Sequence, residues 1–573
     1  MAASISSEST QLGVIKTKKS STSLNSNKAG HKIEVTEGIE GSSQQKFEVD
    51  TINTSLDIEN QGAKEQPAIG PKAAILLFIG LAMATFLASL DGTIIATALP
   101  KIASDFKAQS QMSWVATAYL LTFNAFQPLY GKFSDIFGRK AMILFATVTF
   151  MIGSAGAGAA STMTMLIAFR AIQGLGGSGL MGVVLIIISD IFPLDQRAKY
   201  QSIIWSVFGV SSVVGPLLGG VFVEQITWRW CFYINLPLGI VTLAAVILFL
   251  RLPFETQELK KQLARIDYLG TLFIIISVVC LLLPITWGGT TYPWNSATII
   301  VLFCAAAVLI ALTIFIEHKA IEAIIPPRLF LNKTVAVLFM VNFMTGMGFL
   351  GVIFYSPIYF QVVKGVSATA SGLHLLPMVM GLVISSIASG AIMGKVKDYR
   401  IFIWLGTTIM SIGVGLCMLL DRDSNMGEQI GYLLIVGSGI GLILQTVMLA
   451  AQAAVEKHDM AIVTALCGFM NSIGGGIGIA MCSALFNNHL LAQFGKLPVS
   501  VLAVIAEFRL DESITAVQSL PEPAKSLVIE AYVNTFQYIF KCILPIACAA
   551  FVISLFIRKL RMLDPSEVIQ HAA

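Results

Sequence analysis

Charged residues are scarce in this chain. They make up 12% of its 573 residues, whereas hydrophobic residues make up 55% and the mean hydropathy is +0.79. Water cannot solvate so apolar a chain, folded or unfolded, so the composition excludes a soluble protein. The formal net charge of +4 is too small to indicate a nucleic-acid partner or an acidic one. The composition therefore predicts a protein that is integral to a lipid bilayer.

The sequence also lacks the patterns that are typical of enzymes and metalloproteins. Its eight cysteines are scattered without paired spacing, so they predict packing residues and not a disulfide framework or a metal site. It contains no Gly-x-x-x-x-Gly-Lys-Ser/Thr phosphate loop, no metal-ligand spacing and no nucleophile triad. We therefore expect no enzymatic activity, no cofactor, no metal and no use of ATP.

Long apolar runs dominate the chain from Ala73 onward. A helix needs about 20 apolar residues to cross the hydrocarbon core of a bilayer. The runs predict an all-α membrane protein with fourteen transmembrane helices, at residues 73–98, 112–131, 141–160, 165–188, 202–223, 233–250, 267–286, 297–316, 335–362, 371–394, 401–420, 429–452, 460–486 and 536–557.

An internal repeat divides these spans. The sequence Gly131-Lys132-x-x-Asp135 after span 2 recurs as Gly394-Lys395-x-x-Asp398 after span 10. Spans 1–6 and 9–14 are therefore predicted to form two six-helix repeats, with a substrate site between them and with spans 7 and 8 inserted. The predicted divisions are a disordered cytoplasmic tail at 1–72, a first repeat at 73–250, a linker with inserted helices at 251–333, a second repeat at 334–557 with a long outer loop at 488–535, and a cytoplasmic tail at 558–573.

The distribution of Lys and Arg predicts the orientation. These residues concentrate in the loops on one side of the predicted spans, among them Lys132, Arg139, Lys140 and Arg197. Because cytoplasmic loops carry an excess of positive charge, this side is predicted to be cytoplasmic and both termini with it.

Asp91 lies inside the first predicted span. A carboxylate at that depth costs on the order of 3 kcal/mol, so it normally faces a wet cavity or a partner and carries protons or ligand. Arg170 lies inside span 4, where a structural or coupling role is favoured and snorkelling to the interface is the alternative. Asp91 therefore predicts a transporter and is the first candidate for a proton carrier.

Several segments together resemble one family. The segment Gly131-Lys132-Phe133-Ser134-Asp135-Ile136-Phe137-Gly138-Arg139-Lys140 resembles the signature that follows span 2 in the major facilitator superfamily. The segment from Arg170 to Gly177 is similar to its buried-arginine motif, and Gly209 with Gly215-Pro216-Leu217-Leu218-Gly219-Gly220 is similar to its antiporter motif. With Leu90-Asp91-Gly92-Thr93 and the segment from Trp228 to Pro237, the chain resembles the fourteen-span drug:proton antiporter branch, and especially fungal multidrug and toxin exporters.

The resemblance implies roles for these residues. It implies proton coupling by Asp91 and Arg170 and an antiporter helix built on Gly209, Gly215, Pro216, Gly219 and Gly220. It also implies a conformational network at the inner face, formed by Gly131, Asp135, Gly138, Arg139, Lys140, Asp190 and Arg197. A plain turn with positive charge on the inner side is the alternative for 131–140.

Polar side chains within the spans are candidates for a substrate cavity. They are Asn124, Gln127, Asn342, Tyr355, Gln445 and Asn471. In the alternative interpretation each amide makes an ordinary hydrogen bond between helices. Few charges and many apolar, aromatic and Met side chains suit an adaptable pocket for amphipathic organic compounds.

The sequence as a whole favours a proton-coupled exporter of drugs, toxins or metabolites, monomeric and located in the plasma membrane. Its expected partners are a small-molecule substrate, protons and the bilayer. A vacuolar amino-acid/proton antiporter is one alternative. A nutrient receptor that uses the same fold without transport is another.

Overall fold

The computed structural model describes residues 71–108, 111–192, 194–251, 258–289, 291–320, 322–396, 398–507 and 514–559. These residues belong to one compact unit, Pro67–Ala573. Residues 1–70 and 560–573, which make up nearly all of the predicted tails at 1–72 and 558–573, lie outside the described residues. Apart from an isolated bridge between Gly288 and Tyr292, the secondary structure of the described part is helical.

The long helices match the predicted spans in number and order. They are α1 (Pro71–Asp105), α2 (Met112–Phe137), α3 (Arg139–Gly158), α4 (Met163–Ile191), α5 (Leu194–Val221), α6 (Asn235–Phe249), α7 (Tyr268–Trp287), α8 (Ala297–Lys319), α9 (Lys333–Val362), α10 (Leu376–Val396), α11 (Tyr399–Cys417), α12 (Met426–Ala453), α13 (Met460–Phe494) and α14 (Ala524–Ser554). Short helical turns lie between them, including Trp230–Tyr233, Leu259–Ala264, Pro327–Leu331, Ala368–Leu373 and Val499–Glu507.

Thirteen helical stretches of the described residues are long and apolar enough to cross a membrane. Helix α2 is long enough but less apolar, because it carries the polar side chains of Asn124, Gln127, Lys132 and Asp135. The all-α membrane fold is therefore confirmed, and fourteen spans are consistent with it.

The helices pair in the same way in the two halves. In the first half, α1 packs against α5 and α6, and α4 packs against α2 and α3. In the second half, α9 packs against α13 and α14, and α12 packs against α10 and α11. The two six-helix repeats are thus α1–α6 and α9–α14. They meet where α5 packs against α10 and where α2 packs against α13, and the inserted helix α7 touches α8, α2 and α13.

The long outer loop predicted at 488–535 is partly helical. Helix α13 continues to Phe494 and α14 begins at Ala524. The prediction placed the ends by apolarity, but backbone hydrogen bonds carry a helix beyond the residues that need lipid. His489 illustrates this, since it lies three residues beyond the predicted end of span 13 yet belongs to α13 and stacks on Tyr538 of α14 at a ring distance of 4.3 Å.

Capping residues fix where several helices begin. Thr162, Asp267, Ser296 and Asn332 each accept a backbone N–H at the start of α4, α7, α8 and α9, respectively. Such caps satisfy donors that a helix cannot satisfy internally, which matters most where water is scarce.

Candidate functional site

A buried ion pair joins the two residues that the sequence singled out for proton coupling. Asp91 on α1 is 0% exposed and Arg170 on α4 is 1% exposed. The Arg170 Nη1 atom lies 2.6 Å from Asp91 Oδ2. Of the two surroundings expected for Asp91, a partner or a wet cavity, the structure shows a partner, Arg170.

The second carboxylate oxygen of Asp91 is also satisfied. Its Oδ1 accepts hydrogen bonds from Gln173 Nε2 at 2.7 Å and from Asn235 Nδ2 at 3.1 Å. Both amide groups also donate to Ser154 Oγ, at 3.0 and 2.9 Å. We call these five residues, Asp91, Ser154, Arg170, Gln173 and Asn235, the Asp91 cluster. Since they come from α1, α3, α4 and α6, the cluster ties four helices of the first repeat together.

Several groups besides Asp91 contact the side chain of Arg170. Its Nε donates to Val115 O at 3.1 Å, and Nη1 donates to Gln173 Oε1 at 2.8 Å. Its guanidinium lies over the Tyr119 ring, 4.3 Å from the centroid. Removing one partner from such a buried pair typically costs about 3–5 kcal/mol, because a charge is left without compensation. Snorkelling to the interface is therefore excluded for Arg170.

The partners of Asp91 were only partly foreseeable. Gln173 lies one helical turn after Arg170, so its proximity followed from the spacing of α4. Asn235 and Ser154 come from other helices and carried no signal beyond being polar residues inside apolar runs.

A second charge cluster lies where α2 and α3 meet. Arg139 Nε is 2.7 Å from Asp190 Oδ2, and Arg139 Nη1 is 2.5 Å from Asp135 Oδ1 and 2.9 Å from Ser134 Oγ. Gly138 separates α2 from α3 with φ +87°, a left-handed conformation that favours glycine. We call the end of the bundle that holds Asp135, Arg139 and Asp190 the charged end.

Two members of the predicted network bond elsewhere. Lys140 Nζ donates to Ile247 O and Leu250 O, at 2.9 and 3.0 Å, and so caps α6. Arg197 Nε donates to Phe192 O, and its Nη1 lies 3.4 Å from the sulfur of Met460 on α13. The ion pairs of Arg139 therefore stay inside the first repeat, whereas Arg197 reaches the second.

The counterpart in the second repeat is simpler. Asp398 caps α11 and pairs with Arg400 at 2.8 Å. Hydrogen bonds from Arg400 hold the pKa of Asp398 below its usual range. The side chain of Lys395 lies outside the described part of the chain.

Glycines bring α5 close to two neighbours. A Cβ at Gly215 would overlap the Thr93 hydroxyl, and one at Gly219 would overlap the Thr97 hydroxyl, so these glycines allow α5 to contact α1. Gly209 faces Leu382 and its neighbours on α10 across the repeats. Pro216 lies inside α5 beside Gly372, and Gly220 is half-buried.

Among the described residues, three hydrogen bonds join the repeats at the charged end. Gln201 Nε2 donates to Gln452 Oε1 at 3.1 Å, Gln445 Nε2 donates to Ala198 O at 2.5 Å, and Arg197 reaches Met460 as described. Gly131 also meets α13 there, since a Cβ would lie 2.8 Å from the Ala465 Cβ. The charged end is closed in this structure.

The predicted cavity residues divide into two groups. Asn342 donates to Cys467 O at 2.6 Å and Asn471 donates to Asn342 O at 3.2 Å, so both link α9 to α13 as ordinary interhelical bonds. Gln445 joins the repeats as described above. Tyr355 is buried and its ring packs against Phe486 at 5.8 Å.

Asn124 and Gln127 differ, because their side-chain oxygens are buried and have no hydrogen-bond partner. The indole N–H of Trp205 on α5 is likewise buried without a partner. Phe208, one turn from Trp205, faces Phe349 on α9 across the repeats with a ring distance of 6.4 Å. Trp205 and Phe208 were not among the predicted cavity residues, and only aromaticity within an apolar run marked them.

Comparisons with known proteins agree with this geometry. A family model described as Major Facilitator Superfamily matches residues 81–479. The chain is 40% identical over 427 residues to an "MFS-type efflux pump MFS1" of Arthroderma benhamiae, covering 74% of this chain and 80% of that protein. It is 35% identical over 500 residues to the "Efflux pump dotC" of Dothistroma septosporum, covering 86% of each chain.

Solved structures share the fold at low identity. A proton:xylose symporter, XylE, has a TM-score of 0.54 at 13% identity and covers 85% of this chain and 96% of that one. A bacterial homologue of the human lysosomal transporter Spinster has a TM-score of 0.54 at 15% identity and covers 85% of this chain and 97% of that one.

Proposed function

Because this chain belongs to the major facilitator superfamily, and is therefore a membrane transporter and not an enzyme, we propose that it exports small organic molecules in exchange for protons. Transport proceeds by alternating access, in which the two repeats rock about a site between them. The observation that carries this proposal is the ion pair of Asp91 and Arg170, fully buried within the first repeat.

Asp91 is the proposed proton carrier. When Asp91 takes up a proton, its charge attraction to Arg170 is lost, and Arg170 becomes a buried cation that must find other partners. The amides of Gln173 and Asn235 then also lose an ionised acceptor. Protonation therefore changes the packing energy of all four helices that the Asp91 cluster joins.

A chain of contacts leads from Asp91 to the second repeat. Thr93, two residues after Asp91, packs into the space that Gly215 leaves on α5 and lies 3.3 Å from Ser211 O. Helix α5 in turn faces α10 of the second repeat through Gly209. We propose that a shift of α1 on protonation is passed to the interface between the repeats along α5.

The substrate region lies between the repeats. It combines the unpartnered amide oxygens of Asn124 and Gln127, the unpartnered indole N–H of Trp205, and the rings of Phe208 and Phe349. Aromatic walls with a few free polar groups suit amphipathic organic molecules. Relatives that carry the name of efflux pump support export as the direction of transport.

The charged end is proposed to be cytoplasmic, because basic residues concentrate on that side. Both termini then lie in the cytoplasm, and the structure represents the state that is closed to the cytoplasm. We propose the plasma membrane as the location and a monomer as the working unit. Asp135, Arg139 and Asp190 would hold the cytoplasmic ends of α2, α3 and α4 as one body during the rocking motion.

Purified protein in liposomes tests the function. A panel of amphipathic compounds is offered to vesicles that carry only a pH gradient, and uptake is compared before and after an ionophore collapses the gradient. We expect at least one compound to accumulate, and only while the gradient lasts. Accumulation that survives collapse of the gradient, or none with any compound, would contradict the proposal. Efflux from preloaded cells separates export from vacuolar storage and from a receptor without transport.

A further inference from the structure

Two acidic side chains meet where the start of α7 lies against the end of α8. Asp267 is the residue that caps α7, and Glu317 lies in the last turn of α8 and is 2% exposed. A Cβ on Gly270 would overlap Asp267 Oδ2 and would lie 2.7 Å from Glu317 Oε1. The two oxygens therefore border one point, within the range of about 4–6 Å over which one carboxylate disfavours the ionisation of another.

Each of these carboxyl groups has one oxygen with a hydrogen-bond partner and one without. Asp267 Oδ1 accepts the backbone N–H of Gly270 at 2.7 Å, and Glu317 Oε2 accepts that of Ile325 at 2.9 Å. The other two oxygens, Asp267 Oδ2 and Glu317 Oε1, are buried and have no partner. Because a buried charge is costly unless it is paired and hydrogen-bonded, the arrangement is unfavourable while both groups are ionised.

The nearby cations bond to a third carboxylate. Lys132 Nζ on α2 lies 2.9 Å and Arg265 Nε lies 2.7 Å from oxygens of Glu322. Burial by itself would raise the pKa of Glu322, but the hydrogen bonds from Arg265 and Lys132 outweigh it and hold this pKa below its usual range. Among the described residues, no salt bridge reaches Asp267 or Glu317. Other charged groups on the surrounding segments pair elsewhere or are exposed, namely Asp135 with Arg139, Arg328 with Asp459, and the exposed Lys260, Lys261, His318, Lys319 and Lys333.

The two helix ends favour different states of the two groups. The N-terminus of a helix stabilises a negative charge, and the C-terminus disfavours one. Asp267 caps the N-terminus of α7, which favours its carboxylate, whereas Glu317 lies at the C-terminus of α8, which favours its neutral acid. A protonated Glu317 can donate from Oε1 to Asp267 Oδ2, and this one hydrogen bond satisfies both free oxygens.

We propose that Asp267 and Glu317 bind one proton between them, carried by Glu317 Oε1 and donated to Asp267 Oδ2. The shared proton holds the start of α7 to the end of α8. The link extends to the second repeat, because Glu317 Oε2 holds the backbone at Ile325 and the salt bridge from Arg328 to Asp459 follows directly before α9 and α13. Loss of the proton leaves two carboxylates facing each other and loosens this link. The site is separate from the Asp91 cluster and responds to pH at the charged end.

Infrared difference spectroscopy of the purified protein in detergent tests for the proton. A protonated carboxyl group has a C=O stretching band that a carboxylate lacks. Glu317→Gln keeps the shape and offers an amide N–H to Asp267, whereas Asp267→Asn removes the charged acceptor. Glu530→Gln, at an exposed position on α14, is the matched control. At neutral pH we expect Glu317→Gln to lose one such band, Asp267→Asn to lose or shift it, and Glu530→Gln to leave it unchanged.

Reversible unfolding at a series of pH values tests for the link. An ordinary glutamate ionises near about pH 4.3, so above that pH the folded protein holds a proton that the unfolded chain has released. Raising the pH therefore favours unfolding. While the proton stays bound, the unfolding constant of the wild type should rise about tenfold more per pH unit than that of Glu317→Gln. Glu530→Gln should follow the wild type.

Two results would overturn the proposal. One is that Glu317→Gln removes no band of a protonated carboxyl group at neutral pH. The other is that the wild type and Glu317→Gln lose stability in parallel as the pH rises. If Glu317→Gln does not stay monodisperse in gel filtration, Asp267→Asn decides, and an unchanged band in that variant overturns the proposal. Because neither assay measures transport, failure here is distinct from failure of the proposed function.

Discussion

Gly131→Ala should open the charged end. In the closed state the added Cβ would lie 2.8 Å from Ala465 Cβ, 3.2 Å from Ala461 O and 3.3 Å from Ile462 Cα. Two of these three neighbours are backbone atoms of α13, which cannot turn away as a flexible side chain could. The two repeats must therefore separate at this point to accept one methyl group.

The size of the effect follows from the cost of overpacking. Extra methyl groups in a well-packed region cost about 1–3 kcal/mol. A free energy of that size shifts an equilibrium by about 5–150-fold. Because the overlap exists only while α2 and α13 are in contact, the cost falls on the closed charged end and not on the open one.

Distances between spin labels measure this equilibrium. Labels at Lys199→Cys and Glu456→Cys, both exposed at the charged end on opposite repeats, report its opening in a background without native cysteines. We expect Gly131→Ala to move population to longer distances. Gly431→Ala is the matched control, because its Cβ meets nothing within 4 Å. Adding Ala465→Gly should partly restore the closed population. An unchanged distance distribution in Gly131→Ala would refute the reasoning.

Three further predictions concern the charged end. Asp135→Asn or Arg139→Ala should abolish turnover in liposomes and leave substrate binding largely intact, since these residues lie helical turns away from the substrate region; equal loss of both would point to a folding role. Glu322→Gln should destabilise the protein by about 1–3 kcal/mol in thermal unfolding, because Lys132 and Arg265 lose their charged acceptor. Glu258→Gln, which removes the charge from an exposed surface pair with Lys261, should leave the stability unchanged. A C-terminal tag should resist protease in sealed, right-side-out cells, and its cleavage would reverse the proposed orientation.

The sequence predicted the helices well because each depends on local apolarity. Long apolar runs mark spans wherever they occur, and the repeat of Gly-Lys-x-x-Asp related α2 to α10. Helix ends were less predictable, as the extension of α13 to Phe494 illustrates, because helical hydrogen bonding continues past the edge of the bilayer.

The candidate site was predictable residue by residue but not as an arrangement. Asp91 and Arg170 each stood out as charges within apolar runs, yet 79 positions separate them, and no local pattern shows that they bond. Asn235 reaches Asp91 from yet another helix. Glu317 lies near the end of α8, where a carboxylate looks like an ordinary interfacial residue, and only packing against α7 shows that it is buried.

The most direct test of proton coupling is accumulation of a transported compound by Asp91→Asn protein in liposomes that carry only a pH gradient. The substitution keeps the shape of the side chain and removes the charge that pairs with Arg170. We predict that wild-type protein and the exposed control Asp423→Asn concentrate the compound, and that Asp91→Asn does not, although exchange down a concentration gradient continues. Accumulation by Asp91→Asn to the wild-type level would contradict the account, and the Asp91 cluster would then be a structural element of the first repeat.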